Sequence, residues 1–391
     1  MPVSRRFAVC LALFAAVSSQ VHAQIPDTER AALLALYAAT DGDNWNFRDG
    51  WNGAPGTECT WEGITCSADG ASVIYVRLTA HHLSGELPPL DGLPNLEWLA
   101  LDYNALSGTI PPLSVLTRLT GVELRNNAFS GPVPSVQGLS NLQYLRLNNN
   151  NLSGGIPSLD GLVNLRTLEL SYNQLTGSLP SLAALTQLLT IDVSHNQLSG
   201  QIPAFPFAPS LWAIRFQENH FSGGIPSLAG LGQLKFLNLT NNQLSGPIPD
   251  WSGSPLLVDV DLSYNGTLTG TIPPLQGLSN LRDLSLDGNQ LTGGIPPLEG
   301  LANLQEVTLA GNLLTGPVPA IANLPRLQWF IVGYNLLSGS VGEPPSSLRV
   351  GELCPNRLAA TPSAAWDAIT HMAPWYSQCD TDGLFQDGFD F

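Results

Sequence analysis

Residues 145–157 read LRLNNNNLSGGIP, a phrase that recurs with small variations along most of the chain. The shared pattern is Leu-x-Leu-x-x-Asn-x-Leu-Ser/Thr-Gly, and successive asparagines stand 23 residues apart except for one interval of 24. These asparagines are Asn104, Asn127, Asn150, Asn173, Asn196, Asn219, Asn242, Asn265, Asn289, Asn312 and Asn335. With a degenerate first unit at His81 and a shortened last one at Asn356, about thirteen units result, which is the signature of a repeat protein.

Each part of the repeat has a mechanical reason. Alternating leucines such as Leu145 and Leu147 predict a short strand that turns its apolar side chains inward and the intervening residues outward. One such strand per unit predicts a parallel sheet. The asparagine can satisfy backbone groups inside the following turn, so the asparagines should stack as an internal ladder. Ser/Thr-Gly supplies a turn, and the Ile-Pro or Val-Pro after it favours an extended return segment.

The repeat resembles the plant-type extracellular leucine-rich repeat, and the resemblance extends from Val73 to Leu358. Upstream, Trp45, Trp51 and the phrase CTWEGITC at residues 59–66 are similar to the N-terminal cap of plant receptor ectodomains and polygalacturonase-inhibiting proteins. The resemblance implies an α/β repeat solenoid, a right-handed leucine-rich-repeat superhelix with a parallel β-sheet on its concave face. It specifies function poorly, since this architecture recognises peptides, hormones, enzymes and surfaces.

The first 23 residues have the features of a signal peptide. Arg5 and Arg6 precede an apolar run from Phe7 to Val17, and a small-residue cleavage pattern ends at Ala23. The run is shorter than the roughly 20 residues that a bilayer needs, and nothing later in the chain is apolar enough to span. We therefore expect export and a secreted or cell-surface location, with no membrane-spanning segment in the mature chain.

Removal of the signal leaves four cysteines, for which export permits disulfides and three pairings exist. Because stacked repeats separate the two ends by a dozen rungs of roughly 5 Å each, only the local pairs Cys59–Cys66 and Cys354–Cys379 are within reach. The predicted parts are a signal peptide (1–23), a helical N-terminal cap (24–72), the repeats (73–358), and a C-terminal cap with an acidic tail (359–391). A cap helix is expected over Asp27 to Tyr37.

The mature chain is strongly acidic. It keeps 13 of the 15 basic residues and all 31 acidic ones, a net charge of −18, with Lys235 its single lysine. Such a surface repels phosphate backbones and anionic lipid headgroups, so neither nucleic acid nor a membrane surface is an expected partner. Residues 380–391 are similar to the short Asp-Gly-Phe-acid tails of some secreted Gram-negative bacterial proteins, which favours a bacterial origin.

Signs of catalysis are sparse. The sequence has no Gly-x-Ser-x-Gly elbow, no His-Glu-x-x-His, no phosphate-binding glycine loop and no cysteine cluster outside the caps. Its mature histidines do not converge in the repeat, and each is expected at the surface: His81, His82, His195, His220 and His371. We therefore predict a non-enzymatic protein with no catalytic residues, cofactor or bound metal.

Outward-facing strand residues form rows across a solenoid sheet, and these rows are the candidate binding surface. Aromatic side chains and arginines are enriched in interface anchors, although exposed strand positions favour aromatics in any case. One row contains the aromatic residues Tyr75, Trp98, Tyr144, Phe236 and Trp329. The neighbouring row contains Arg77, Arg146 and Arg215. Directly before the ladder asparagines stand Tyr103, Tyr172, Tyr264 and Tyr334.

Carboxylates segregate toward the C-terminal repeats. They are Asp259, Asp261, Asp283, Asp287 and Glu306. This cluster is either a binding site for a basic partner or for a divalent cation, or it is only the solvated face of an acidic protein.

The favoured function is recognition of a protein, peptide or glycan through the concave sheet. One alternative is inhibition of a secreted polysaccharide-degrading enzyme, for which an acidic patch would pair with a basic enzyme. Another is a structural adhesin or ice-binding surface, which the irregular mixture of outward residues argues against. An enzyme with an active site between adjacent rungs is the remaining alternative.

Overall fold

The computed structural model describes residues 24–205 and 207–379. The predicted signal peptide and the acidic tail at residues 380–391 lie outside the described residues. Within the described ranges, no helix has the length and apolar character that a membrane crossing requires.

The repeats stack into one long sheet, here called the concave sheet, as the sequence predicts. Its strands after the first are parallel, and residues at equivalent repeat positions pair in register, for example Leu145 with Leu168. The cap adds the first strand, which runs antiparallel to the second. In order, the strands are Ile64–Cys66, Val73–Arg77, Trp98–Ala100, Gly121–Glu123, Tyr144–Arg146, Thr167–Glu169, Thr190–Asp192, Ala213–Arg215, Phe236–Asn238, Asp259–Asp261, Asp283–Ser285, Glu306–Thr308, Trp329–Ile331 and Val350–Glu352.

A second set of short parallel strands follows the ladder asparagines, where the sequence indicates only a turn and an extended return. This outer layer forms one seven-stranded sheet and two smaller ones within the described residues. Its strands are Ser84–Glu86, Ala105–Ser107, Ser130–Gly131, Asn151–Gly154, Gln174–Ser178, Gln197–Gln201, His220–Gly223, Gln243–Pro247, Thr267–Thr269, Thr315–Gly316, Leu336–Gly339 and Arg357–Leu358. The remaining repeat segments in this part of the chain are turns, so helices occur only in the caps.

The caps close both ends of the leucine core. The N-terminal cap contains the helix Asp27–Ala39, two residues longer than predicted, and the 3₁₀ turns Gly42–Asn44 and Glu58–Thr60. The C-terminal cap contains the helix Ala364–Thr370 and the 3₁₀ turn Trp375–Gln378. The two predicted disulfides are present, Cys59–Cys66 in the first cap and Cys354–Cys379 in the second.

The asparagine ladder lies inside the turns. At Asn196 the side-chain oxygen accepts from the Leu175 N–H at 2.9 Å, and the amide nitrogen donates to the carbonyls of Leu170 and Val193 at 3.0 and 3.1 Å. Equivalent bonds recur along the stack. Asn289 is an exception, because its buried Oδ1 has no hydrogen-bond partner among the described residues. The extra residue of this unit lies between Asn265 and Leu268 and displaces the segment that would donate.

One expectation about exposure is wrong. His81 is buried, with Nδ1 2.8 Å from the Thr79 carbonyl, because it occupies the ladder position of the first unit. Several residues at outward strand positions are also buried, among them Ala100, Thr167 and Thr308. These side chains are small, so larger neighbours on the adjacent strands cover them. The accessible concave surface is therefore made by the large side chains of the rows.

Candidate functional site

The first aromatic row is brought together only at its N-terminal end. Strand pairing places Tyr75 beside Trp98, Trp98 beside Gly121 and Gly121 beside Tyr144. Phe236 lies four strands beyond Tyr144, which is about 19 Å at normal strand spacing, and Trp329 is four strands farther. The predicted row is thus two separate aromatics and one compact N-terminal group, Tyr75, Trp98 and Tyr144, here called the Trp98 group.

Trp98 lies flat across the neighbouring strand. A Cβ atom built on Gly121 would stand 2.6, 2.6 and 2.7 Å from the consecutive indole atoms Cδ2, Cε3 and Cζ3. Nearly equal distances to three consecutive atoms place Gly121 against the face of the six-membered ring rather than its edge. The indole then reaches Tyr144, with ring centroids 5.4 Å apart and planes inclined by 48°. Gly121 is a poor strand former, but because it has no Cβ the indole can pack flat over its backbone.

Phe236 has an aromatic partner that sequence reasoning missed. Trp212 packs edge-on against it at 5.7 Å, and the Arg215 guanidinium lies 5.9 Å from the Trp212 ring. Trp212 stands one residue before the strand Ala213–Arg215, so it belongs to none of the three predicted rows. A search of the position preceding each strand could have found it.

Two of the arginines near Trp98, Arg125 and Arg146, are compensated by carboxylates of neighbouring units. Arg146 forms ion pairs with Glu123 on one side and Glu169 on the other, the latter at 3.5 Å between Nε and Oε2. Arg125 lies 3.6 Å from the Asp102 carboxylate, which also accepts the backbone N–H of Arg125. These carboxylates were not predicted. They make this region polar and nearly neutral rather than a positively charged anchor.

Burial perturbs two carboxyl groups of this network. Burial and the neighbouring Glu123 charge raise the pKa of Asp102 to about 6, although the Arg125 guanidinium acts in the opposite direction. Burial also raises the pKa of Glu169, while Arg146 lowers it. The arginines oppose the effect of burial but do not outweigh it, so both carboxyl groups keep raised pKa values.

The tyrosines before the ladder asparagines form an exposed row. Tyr103, Tyr172, Tyr264 and Tyr334 have φ between 54° and 56° and exposed fractions between 44% and 59%. A positive φ is costly for a bulky residue, but the turn requires it at this point in each unit up to that of Tyr334, and only the last unit differs, with Pro355 there. Tyr172 is further stacked on His195, with ring centroids 4.1 Å apart. Tyr264 and Tyr334 belong to units five and eight strands beyond that of Tyr144, so these two lie far from the Trp98 group.

The C-terminal carboxylates are partly buried, which the solvated-face interpretation does not anticipate. Burial, followed by the charges of Asp283, Asp261 and Glu306, raises the pKa of Asp259 to about 6. Burial is also the main reason why the pKa values of Asp283, Asp287 and Glu306 are raised. The rows thus bring these side chains into mutual repulsion on one part of the concave sheet.

A pocket of about 350 Å³ lies at the edge of this acidic region. It opens where glycines Gly288 and Gly311 occupy the position that Tyr264 and Tyr334 hold in flanking units. Tyr264 leans over Gly288, where an added Cβ would stand 2.9 Å from its ring. Sequence reasoning missed the pocket because it is made by the absence of two side chains.

The divalent-cation interpretation gains no support from the geometry. Across residues 24–205 and 207–379, no group of three or more histidine, cysteine, aspartate or glutamate side chains is arranged to hold a metal ion. The carboxylates are distributed along parallel strands and do not converge on one point.

Comparison with known proteins assigns the fold. Family models match as "Leucine rich repeat N-terminal domain" over residues 26–67 and as "Leucine Rich repeats (2 copies)" over 140–176 and 163–206. A single-repeat model, "Leucine Rich Repeat", matches residues 233–254 and 280–300. The chain is a leucine-rich-repeat solenoid.

This leucine-rich-repeat solenoid is similar to plant proteins. The receptor kinase GASSHO1/SCHENGEN3 ectodomain of Arabidopsis thaliana, solved with Casparian strip integrity factor 2, is 29% identical with a TM-score of 0.72, covering 88% of this chain and 46% of that one. A plant ice-binding protein is 28% identical with a TM-score of 0.56, covering 78% and 93%. An Arabidopsis "Probable leucine-rich repeat receptor-like protein kinase" is 38% identical over 80 residues, 18% of this chain and 7% of the kinase. The solenoid thus spans less than half the length of these receptor relatives.

Proposed function

We propose that this protein is an exported, non-enzymatic recognition module that binds its partner through the concave sheet. The observation that carries the proposal is the Trp98 group, in which the absence of a side chain at Gly121 leaves room for the indole to lie on the sheet. An aromatic side chain that served only the hydrophobic core would lie on the inward side of the strand, not on the outward side as Trp98 does. A binding surface uses rigid aromatic area of this kind.

The comparisons support binding as the general role. Solved structures of similar fold include plant receptor ectodomains in complex with peptide hormones, among them the HAESA ectodomain at 25% identity with a TM-score of 0.61. The peptide ligands belong to those receptors. For this chain we carry over only the use of the solenoid as a recognition scaffold, in a protein that reaches the cell surface or the medium.

The C-terminal acidic region defines which protein partners the sheet could accept. Its carboxylates would attract a basic protein and repel an acidic one. Inhibition of a basic secreted enzyme is therefore one form that recognition could take here, and the identity of the captured partner decides it.

Affinity capture tests the proposal. The bait is the mature chain beginning at Gln24, compared with a variant in which Tyr75, Trp98, Tyr144 and Arg146 are all changed to alanine. The matched control carries four alanine substitutions on the outer layer, at Gln174, Gln197, His220 and Gln243. A partner retained by the control and lost by the first variant supports the concave site. A partner lost only with the outer-layer variant, or lost with neither, contradicts it.

A second candidate function is ice binding, favoured by the likeness to the plant ice-binding protein. The outer layer presents a hydroxyl in each unit except the last, for example Thr176, Ser199 and Ser222. Register pairing sets Ser199 beside His220 rather than Ser222, so consecutive hydroxyls are staggered by two residues along the strands. Incorporation of the protein into a slowly growing ice hemisphere decides this candidate, since a protein that does not bind ice is excluded from the growing ice.

A further inference from the structure

We infer that the N-terminal half of the concave sheet binds a neutral glycan, with one sugar ring stacked on the indole of Trp98. The inference rests on the proposed recognition function and names the class of ligand for it. It is carried by the orientation of the indole and by the charge pairing of the polar groups beside it.

The stacking surface follows from the position of Gly121. Because one face of the six-membered ring lies against this glycine, the opposite face is directed into the concave space. The C–H face of a pyranose ring packs on such a flat aromatic surface. Cationic side chains also pack on aromatic faces, but the two tyrosines beside Trp98 already carry arginines of this chain. Arg77 lies 4.5 Å from the Tyr75 ring and Arg146 lies 5.2 Å from the Tyr144 ring.

The polar groups next to the indole suit hydroxyls better than charges. Glu123, Arg146 and Glu169 occupy the neighbouring outward row on three consecutive strands and are paired with one another. A hydroxyl both donates and accepts, so it can bridge a carboxylate and a guanidinium without separating them. A charged peptide group would instead compete with an existing ion pair.

The overall charge of this half points the same way. Along and beside the strands from Val73–Arg77 to Ala213–Arg215, five arginines balance five carboxylates. They are Arg77, Arg125, Arg146, Arg166 and Arg215, and Glu97, Asp102, Glu123, Glu169 and Asp192. An electrostatically neutral surface gives a charged macromolecule no long-range attraction, whereas the C-terminal half of the same sheet is strongly acidic. A neutral, hydroxyl-rich ligand matches the N-terminal half.

Isothermal titration calorimetry with neutral oligosaccharides tests the inference. The probes are cellohexaose, xylohexaose, mannohexaose and chitohexaose, each titrated into the mature protein. We expect at least one to bind and its affinity to fall about tenfold or more in Trp98→Ala, a loss of about 1.4 kcal/mol. Trp329→Ala is the matched control, because it removes an exposed tryptophan from the same row, and it should leave the affinity unchanged.

Gly121→Ala is the sharper variant. It removes no aromatic or polar group, yet its methyl would occupy the place of the indole ring and must displace it. The φ of Gly121 is not among the positive ones, so alanine suits the backbone, and circular dichroism should report an unchanged fold. We expect this single methyl to lower affinity by a factor similar to Trp98→Ala.

Failure of the inference is distinguishable from failure of the proposed function. Absence of binding to all four oligosaccharides, or binding that both variants retain, overturns the glycan inference. If affinity capture nevertheless yields a protein partner that depends on Trp98, concave recognition stands and its ligand is a protein. If neither assay detects a ligand that depends on the concave sheet, both proposals fail.

Discussion

Replacing Asn219 by alanine should cost about 4 kcal/mol of folding free energy. Its buried side chain accepts from the Leu198 N–H at 2.9 Å and donates to the carbonyls of Val193 and Phe216 at 3.0 and 3.2 Å. Each donated bond contributes about 1 kcal/mol, and leaving the Leu198 amide unpaired in the core costs about 2 kcal/mol more. Alanine supplies neither donor nor acceptor.

Asn289 provides a matched control for this estimate. It donates to the Leu262 and Leu286 carbonyls at 3.1 and 3.0 Å, but its oxygen satisfies no amide. Asn289→Ala should therefore cost at most about 2 kcal/mol, because it also removes a buried oxygen that has no partner. Guanidinium chloride titrations followed by circular dichroism measure both variants against the parent protein. Equal losses would refute the reasoning that the accepted amide bond makes the ladder strong.

Other predictions concern charge and the cap. Asp259→Asn should raise the melting temperature at pH 7.5 and have little effect at pH 4. The folded-state pKa of this carboxyl is raised to about 6, so its ionisation opposes folding as the pH rises through about 6. Thermal melts at the two pH values check this. Arg146→Gln should raise the pKa of Glu169 further, since the guanidinium now lowers it, and carboxyl-carbon NMR titration would show no change if the pair were unimportant. Replacing Cys59 and Cys66 by alanine opens a short loop and should cost about 2.5 kcal/mol in a denaturant titration, whereas an unchanged midpoint would show that the cap does not need the bridge.

The fold could be predicted because its determinants are local and repeated. The interval between ladder asparagines fixes the length of one coil of the solenoid. Inward leucines such as Leu145 and Leu168 fix which side of the strand is buried. The outer layer was not predicted, because its short strands lack the alternating leucines that identify the concave sheet. The extra residue after Asn265 is visible in the sequence, but the sequence does not show that Asn289 Oδ1 in the next unit has no hydrogen-bond partner among the described residues.

The candidate site was predictable by row but not by contact. The sequence places Trp98 and Tyr144 in one row, yet it does not show that Gly121 between them is what brings their rings together. Arg146 was predicted as an anchor, and its pairing with Glu123 and Glu169 on adjacent strands appears only after the strands are aligned. Such contacts join residues 23 positions apart, so no local pattern indicates which of them form.

Hydroxyl-radical footprinting tests the concave-sheet proposal most directly. The mature protein is oxidised alone and with the ligand that affinity capture or calorimetry identifies, and side-chain modification is read by mass spectrometry. We expect protection of Trp98 and Tyr144 and unchanged oxidation of His220 on the outer layer. Protection of His220 with full oxidation of Trp98 would contradict the proposal.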